Sequence, residues 1–441
     1  MPTDPTPADL RIDARWVVPV EPAGSVLEDH SVIVRDGRIV ALLPRSEAAN
    51  AFAPRERIAL EQHVLIPGLV NLHTHAAMTL LRGLADDRPL MEWLRDHIWP
   101  VELRHASPEF VYDGTLLACA EMLRGGITCV NDMYFFPEAA ARAYVDAGMR
   151  AAVGLIAVEF PSAYAADAED YIAKGLAARD RVGADPRLTF CMAPHAPYTV
   201  SDRTLARLAT LAEELDLPVH IHLNETEEEI RGSVETHGRR PLDRLAALGL
   251  VSTRLIGVHA VHLSAGEIAL LARNGCSVAH CPSSNLKLAS GFAPVAALLD
   301  AGVNVGLGTD GAASNNRLDL FQEMRTAALL AKAVAGRADA MPAHVALRCA
   351  TLGGARALGL DAVCGTIEAG KAADLCAVTL AEPETAPCYD PVSHLVYACG
   401  REHVTHVWIA GETVLAERAL VRIDPRELEK LAGLWHTKFS S

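Results

Sequence analysis

Two histidines, His73 and His75, stand two positions apart at the end of the apolar run LIPGLV. If this segment is a β-strand, side chains at positions i and i+2 point to the same face, and both imidazole rings lie side by side. Such a pair could hold a metal ion. Taken alone, however, the pair is better explained as two ordinary histidines at a turn, so the rest of the chain must decide its meaning.

Polar residues end several other apolar runs in the same manner. They are His195, His222, His259 and Asp310. If the runs are strands of one barrel, these side chains meet at one mouth, where burying them together is costly without a metal ion or a mutual network. His220 and His262 also lie on these runs, and each is better explained as a core or loop histidine.

Three histidines and one aspartate with room for water are typical of a catalytic zinc site rather than a closed structural one. The predicted ligands are His73, His75, His222 and Asp310. A metal of this kind lowers the pKa of its water to about 7 and provides hydroxide at neutral pH. The pattern therefore predicts a hydrolytic metal centre.

Glu225 follows the His222 position by three residues, one position off the ligand face of the strand, where the chain turns. There it could reach a substrate rather than the metal, which suits a proton shuttle. The next acids along the chain, Glu227, Glu228 and Glu229, are predicted to be ordinary surface acids.

The elements that must position these residues are eight apolar runs alternating with segments of helical periodicity. The runs cover residues 69–75, 127–133, 150–158, 187–197, 218–225, 255–262, 276–285 and 303–311. Near-continuous apolar strands alternating with helices predict a parallel sheet, and eight such units predict a (β/α)8 barrel of the TIM type, an α/β fold. The long insertion after the first run predicts a cover over the barrel mouth.

The two ends of the chain share a different pattern of short β-rich runs. Asp36-Gly37 is a strong hairpin signal between alternating segments, and Gly411 is a second turn candidate. We predict a small β-sandwich domain assembled from residues 1–66 and 367–441, with the barrel at residues 67–366.

Composition narrows the class of partner. The chain of 441 residues carries a formal net charge of −15, which argues against a nucleic-acid backbone or an anionic membrane surface. Its first residues, MPTDPTPADL, lack the pattern of a signal peptide, and no apolar run reaches the length of a membrane span. The ten cysteines include no C-x-x-C pair, which favours free thiols and a cytoplasmic location. A symmetric homo-oligomer is the base-rate expectation.

A family resemblance rests on motifs that occur in a fixed order. They are PGLVNLHTH, HLNETEEE, GVHAVH, GTDGAASNN and TIEAGKAADL. Together they closely resemble the amidohydrolase superfamily, and within it the 5-methylthioadenosine/S-adenosylhomocysteine deaminases. The resemblance spans nearly the whole chain and implies a metal-dependent hydrolase that deaminates an adenine nucleoside.

The resemblance assigns one role to each candidate. It implies a single metal on the four ligands named above, zinc being favoured over iron or manganese. It makes Glu225 the general acid/base, lets His259 hydrogen-bond the attacking water and gives Asp310 a catalytic as well as a metal-binding role. The fourth run, RLTFCMAPHAP, has no lysine that could bridge a second metal.

The insertion MEWLRDHIWPVE resembles a nucleoside-binding loop of the family. By this resemblance Glu102 binds the ribose hydroxyls, Trp93 forms a wall of the pocket, and His195 contacts the purine ring. Glu225 and Asp310 would also face the substrate. The alternatives are that Glu102 is a solvated acid at the start of a helix and that Trp93 packs in a helix core.

The loop after the third run, EFPSAYAADAEDYIAKGLAARDR, contains no arginine before Arg179 and is rich in acids. A clamp for an amino-acid carboxylate is therefore not expected there. This favours 5′-methylthioadenosine or adenosine over S-adenosylhomocysteine. The alternative substrate is guanine, an s-triazine or another aminated or chlorinated heterocycle. The alternative to an enzyme is an inactive barrel kept for assembly or interaction.

Overall fold

The structure is a computed structural model that describes residues 5–440 of the chain. Along the chain, β-rich segments at the two ends flank a central series in which strands and helices alternate. The strands in chain order are β1 (Thr6–Val17), β2 (Leu27–Arg35), β3 (Arg38–Pro44), β4 (Phe52–Pro67), β5 (Leu69–Thr74), β6 (Ile127–Asp132), β7 (Arg150–Ala157), β8 (Leu188–Pro194), β9 (Val219–Leu223), β10 (Leu255–His259), β11 (Ser277–His280), β12 (Asn304–Leu307), β13 (Leu375–Thr379), β14 (Val404–Ile409), β15 (Glu412–Ala416) and β16 (Ala419–Leu420).

The helices begin and end close to the local sequence signals. Ser201 caps one helix through its hydroxyl, and Gly125 ends another. The helices in chain order are α1 (Arg45–Ala51), α2 (Leu90–Trp93), α3 (Trp99–His105), α4 (Pro108–Arg124), α5 (Pro137–Ala147), α6 (Ala168–Val182), α7 (Asp202–Glu214), α8 (Glu227–His237), α9 (Pro241–Ala247), α10 (Ala265–Arg273), α11 (Pro282–Lys287), α12 (Val295–Asp300), α13 (Leu320–Ala335), α14 (Ala343–Arg348), α15 (Gly354–Ala357), α16 (Pro391–Tyr397) and α17 (Pro425–Ser440).

Strands β5 to β12 lie side by side in chain order as one parallel sheet of eight strands. The sheet closes between its last and first strands, where the backbone N–H of Asp310 donates to the carbonyl oxygen of His73 at 3.0 Å. Each predicted run contains one of these strands, so the predicted (β/α)8 barrel is confirmed. The runs are apolar almost throughout because helices cover a parallel barrel from outside and side chains fill it from inside.

The strands from both termini form a second sheet of eight strands, in the order β16, β15, β14, β13, β4, β1, β2 and β3. This sheet curls, so that the β2–β3 turn meets the β14–β15 turn. A Cβ atom at Gly37 would lie 2.7 Å from the carbonyl oxygen of Ala410, and one at Gly411 would lie 3.0 Å from the Val34 side chain. Both glycines also have positive φ, so both predicted turns are confirmed and neither tolerates a side chain.

A buried ion pair joins the small domain to the barrel. Arg150, at the start of β7, donates to both carboxylate oxygens of Asp374 at 2.8 and 3.2 Å, and the Ala410 amide also donates to Asp374 at 2.7 Å. The predicted division at residues 66/67 and 366/367 remains our proposal, and residues 1–4 and 441 of the predicted small domain lie outside the described residues. Within residues 5–440, none of the helices has the length and apolar character needed to cross a membrane.

Candidate active site

Four of the predicted side chains converge at the carboxyl ends of the barrel strands. The rings of His73 and His75 lie 4.7 Å apart between centroids, and the ring of His222 lies 4.9 and 5.3 Å from them. The Oδ1 atom of Asp310 lies 3.3 Å from Nε2 of both His73 and His75. Side chains at or just after the ends of β5, β9 and β12 therefore cluster around His73. Its donor atoms lie close to those of His75 and Asp310 in one group, and to those of His222 and His259 in a second group.

The histidine rings are held by hydrogen bonds from their Nδ1 atoms. His75 donates to the Met133 carbonyl at 2.7 Å, and His222 donates to the His195 carbonyl at 2.6 Å. His73 pairs through Nδ1 with Nε2 of His220 at 2.9 Å. Partners of this kind fix the ring orientation, and they leave Nε2 of each ring as the atom that can bind a metal ion.

The donor set fits a divalent metal ion. Nε2 of His73 is buried without a hydrogen-bond partner among the described residues, since Asp310 lies near it without the alignment of a hydrogen bond. Burial lowers the pKa of His73 to about 4, so its ring is neutral at pH 7 and has a lone pair to offer. Neutral imidazoles and a carboxylate are ordinary ligands of such ions, and a metal ion would satisfy the unpartnered atom.

Asp310 is held as a carboxylate by its neighbours. Ser284 donates through Oγ to Oδ2 at 2.6 Å, and the Gly311 amide donates to Oδ1 at 2.7 Å. Burial alone would raise the pKa of Asp310, but the adjacent His73 and the other imidazoles hold it well below its usual range. The group is therefore ionised at neutral pH and available as a metal ligand.

Glu225 and His259 face each other beside the cluster. Nε2 of His259 lies 3.7 Å from Oε2 of Glu225, and the Ser290 hydroxyl lies 3.3 Å from Oε1. His259 is oriented by the side-chain oxygen of Asn285, 2.8 Å from its Nδ1 atom. Burial raises the pKa of Glu225, although His259 opposes the shift, so its carboxyl group can carry a proton closer to neutral pH.

The strand ends that carry these groups depart from extended geometry. Asn224, His259 and Asp310 have φ values of 50°, 68° and 60°, in the left-handed region. Non-glycine residues in this region cost about 1 to 3 kcal/mol each and persist only where the surrounding structure imposes them. The chain turns at these points, and the turns direct the side chains into the barrel mouth.

One cavity of about 770 Å³, counting its open mouth, connects the cluster to the cover formed by α2 and α3. Glu102 lies on the cover, 8% exposed, and accepts a hydrogen bond from the Tyr134 hydroxyl at 2.6 Å. Burial raises the pKa of Glu102 to about 7, partly offset by this hydrogen bond. Trp93 and His195 also line the cavity. All predicted site residues therefore border this cavity except His73, which is fully buried against it.

Sequence reasoning missed three residues that support the cluster, namely His220, Asn285 and Glu229. His220 is a core histidine as predicted, but it also contacts His73, and its position two residues before His222 was the available signal. The prediction of a surface acid was wrong for Glu229, which is buried. The signal was Thr226, since a threonine three residues before a glutamate is typical of a capping box, in which the glutamate turns back toward the backbone before the helix.

Comparisons with known proteins agree with this geometry. A model of the amidohydrolase family matches residues 64–414. A 5-methylthioadenosine/S-adenosylhomocysteine deaminase of Saccharophagus degradans is 48% identical over 100% of this chain and 98% of its own. A crystal structure described as an adenosine deaminase of Xanthomonas campestris with bound zinc is 53% identical, covers 98% of this chain and 99% of that one, and has a TM-score of 0.97.

More distant structures share the fold alone. An atrazine chlorohydrolase of Arthrobacter aurescens complexed with zinc has a TM-score of 0.88, with 97% of this chain and 99% of that one covered, but only 23% identity. The family match over most of the chain and the identity to its relatives lead to one conclusion: this chain belongs to the amidohydrolase family, in the group of 5-methylthioadenosine/S-adenosylhomocysteine deaminases.

Proposed function

We propose that this protein hydrolyses adenine nucleosides to the corresponding inosine derivatives and ammonia, with 5′-methylthioadenosine or adenosine preferred to S-adenosylhomocysteine. The proposal rests on one observation: the histidine–aspartate cluster, Glu225 and Glu102 all line the same cavity, with Glu102 at the end away from the cluster. Such a cavity has polar groups for the purine amino group and for a ribose, separated by aromatic and aliphatic walls.

We propose that His73, His75, His222 and Asp310 hold one metal ion, with zinc as the first candidate and iron or manganese as alternatives. When bound, such an ion lowers the pKa of a coordinated water, so that hydroxide is available at neutral pH. The zinc recorded in the 53% identical adenosine deaminase supports this choice.

The protein side chains carry the proton transfers in this proposal. Asp310 accepts a proton from the attacking water, and His259 hydrogen-bonds that water on the side facing Glu225. Glu225 delivers its proton to N1 of the purine, which makes C6 electrophilic. After water adds to C6, the proton held by Asp310 passes to the amino nitrogen, which leaves as ammonia. The remaining hydroxyl proton returns to Glu225 as the C6 carbonyl forms, which restores the starting protonation of the enzyme.

Glu102 supports a nucleoside rather than a free base. Its buried carboxylate, next to the Tyr134 hydroxyl, would accept hydrogen bonds from the two ribose hydroxyls. A guanine base or an s-triazine has no diol, and binding it would leave Glu102 with the Tyr134 hydroxyl but with no partner from the substrate. An unsatisfied buried acceptor of this kind costs about 1 to 3 kcal/mol.

The preference for a neutral 5′-substituent rests on the charges of the cavity. Its lining within the described residues includes no lysine or arginine. In the loop after β7, Glu159 accepts hydrogen bonds from the Ser201 amide and the Thr204 hydroxyl. Lys174 is engaged with Asp170 and with the Tyr164 carbonyl. An amino-acid carboxylate would therefore enter the cavity without a counter-charge, which is unfavourable.

Ammonia release from a panel of substrates tests the proposal. The panel contains 5′-methylthioadenosine, adenosine, S-adenosylhomocysteine, guanine and an s-triazine, each assayed for kcat/KM with metal-loaded enzyme. We expect activity on the nucleosides, with S-adenosylhomocysteine the poorest of the three. A clear preference for S-adenosylhomocysteine would refute the argument from charge, and activity on guanine or the triazine alone would refute the nucleoside assignment.

The compartment is also part of the proposal. All ten cysteines are free and nine of them are buried, which supports a reducing compartment such as the cytoplasm.

A further inference from the structure

The direction of the Glu225 side chain depends on a strained turn. In an extended strand, positions 222 and 225 would face opposite sides, because side chains alternate. Asn224 instead takes a left-handed conformation, with a φ of 50°. Glu225 consequently turns back into the barrel mouth, where it is 4% exposed and faces His259. Whatever holds the backbone of residues 224 and 225 therefore also holds Glu225.

A second carboxylate grips this backbone. Oε1 of Glu229 accepts a hydrogen bond from the Asn224 amide at 3.0 Å, and Oε2 accepts one from the Glu225 amide at 2.7 Å. Glu229 lies in the first turn of α8, where its own amide donates to the Thr226 hydroxyl at 3.1 Å. The start of the helix thus carries a two-point clamp on the turn.

This arrangement differs from an ordinary helix cap. In a capping box the glutamate reaches back to the amide of the capping residue, which here is Thr226. Glu229 bypasses that amide and takes the two amides before it. Its neighbours Glu227 and Glu228 lie in the same first turn, where acidic side chains stabilise a helix N-terminus, and both are exposed.

Burying the Glu229 carboxylate is energetically unfavourable, and an exposed helix cap would avoid this desolvation cost. Glu229 is 8% exposed, and within residues 5–440 it forms no ion pair with a lysine or arginine. Burial raises its pKa to about 7, an effect that the two amide hydrogen bonds counteract. A buried carboxylate without a cationic partner is unfavourable, so helix capping alone does not account for a glutamate at this position.

We propose that Glu229 is a positioning residue that holds Glu225 in place for proton transfer to the substrate. The inference rests on the proposed deaminase function, because Glu229 acts only through Glu225, whose proton transfer belongs to that function. It assigns to Glu229 no contact with substrate or metal.

The test compares Glu229→Gln with Glu227→Gln, a matched control on the exposed face of the same helical turn. Glutamine offers one acceptor oxygen and one NH2 group to two N–H donors, so one amide loses its partner. Displacement of a catalytic group by about 1 Å costs about 100-fold in rate, so we expect kcat and kcat/KM to fall together by about 10- to 100-fold. We expect metal content to match that of Glu227→Gln. The unpaired amide lowers the thermal midpoint relative to that control, but the variant stays folded at the assay temperature.

Hydrogen exchange of the Asn224 and Glu225 amides gives a readout independent of activity. We expect both amides to be protected in the wild-type protein, and at least one to exchange faster in Glu229→Gln. If the variant does not fold, wild-type exchange decides: rapid exchange of both amides overturns the inference, and slow exchange supports it.

Two kinetic outcomes would also overturn it. One is a kcat equal to that of Glu227→Gln in metal-loaded enzyme. The other is a loss of kcat that is fully accounted for by lost metal or by unfolding at the assay temperature. If the wild-type protein releases no ammonia from any adenine nucleoside, the proposed function itself fails, whereas a failure of Glu229 alone leaves wild-type activity in place.

Discussion

Replacing Glu225 by glutamine separates proton transfer from metal binding, because the two side chains have the same size and only the acid can give up a proton. The predicted metal ligands lie on other positions, so Glu225→Gln should retain its metal. Glutamine can also keep the contact with the Ser290 hydroxyl, 3.3 Å from the carboxyl oxygen in the wild type. The variant therefore removes a proton donor with little change in shape.

The size of the effect follows from the position of Glu225. Proton transfer by a well-placed side chain contributes about 10²- to 10⁴-fold to a rate, or about 3 to 5 kcal/mol at 1.36 kcal/mol per factor of ten. Glu225 is almost completely buried, so bulk water has poor access to replace it as an acid. We therefore expect a loss of about 10³-fold or more in kcat, in the upper half of that range.

The assay measures ammonia release from 5′-methylthioadenosine with metal-loaded enzyme, and elemental analysis gives the metal content of each sample. Glu227→Gln is the control, since it removes an exposed carboxylate two residues away. A kcat within about tenfold of the wild type, at full metal content, would remove Glu225 from the role of general acid.

Further predictions concern the other parts of the site and the fold. His73→Ala should lower the metal content of the purified protein, because an imidazole ligand is lost; unchanged metal by elemental analysis would contradict the ligand assignment. Glu102→Gln should raise KM for nucleosides by about tenfold or more through weakened bonds to the ribose, with metal content unchanged; an unchanged KM would favour a substrate without a diol. Asp374→Asn should lower the free energy of unfolding by about 3 to 5 kcal/mol, because it leaves Arg150 buried without its charge partner; urea unfolding measures this, and a change below about 1 kcal/mol would show that the pair adds little.

Much of the fold could be predicted from local patterns. The eight apolar runs predict the barrel strands because a parallel barrel buries both faces of each strand, so the hydrophobic signal is strong and continuous. Asp36-Gly37 predicts its hairpin because the turn requires left-handed backbone at both positions, and both have it, with φ of 50° and 73°.

The candidate site was predicted less completely, and Glu229 shows why. Glu229 is one of three consecutive glutamates, and in the sequence only its spacing of three residues from Thr226 distinguishes it from Glu227. It points inward because a left-handed residue five positions earlier presents two amides to it. Its partners come from a turn rather than from a repeating pattern, so periodicity does not reveal them.

What the sequence determined by itself is the set of strand ends and the residue types placed there, from His73 and His75 to Asp310. Alternation along a strand decides which face a side chain takes, and motif order identifies the family. Only the tertiary structure decided how these groups are arranged. His220 contacts His73, Glu229 binds the backbone amide of Glu225, and Glu102 faces the cluster across the cavity. These contacts join segments far apart or on either side of a strained turn, and their geometry exists only once the barrel has closed and the cover has packed over its mouth.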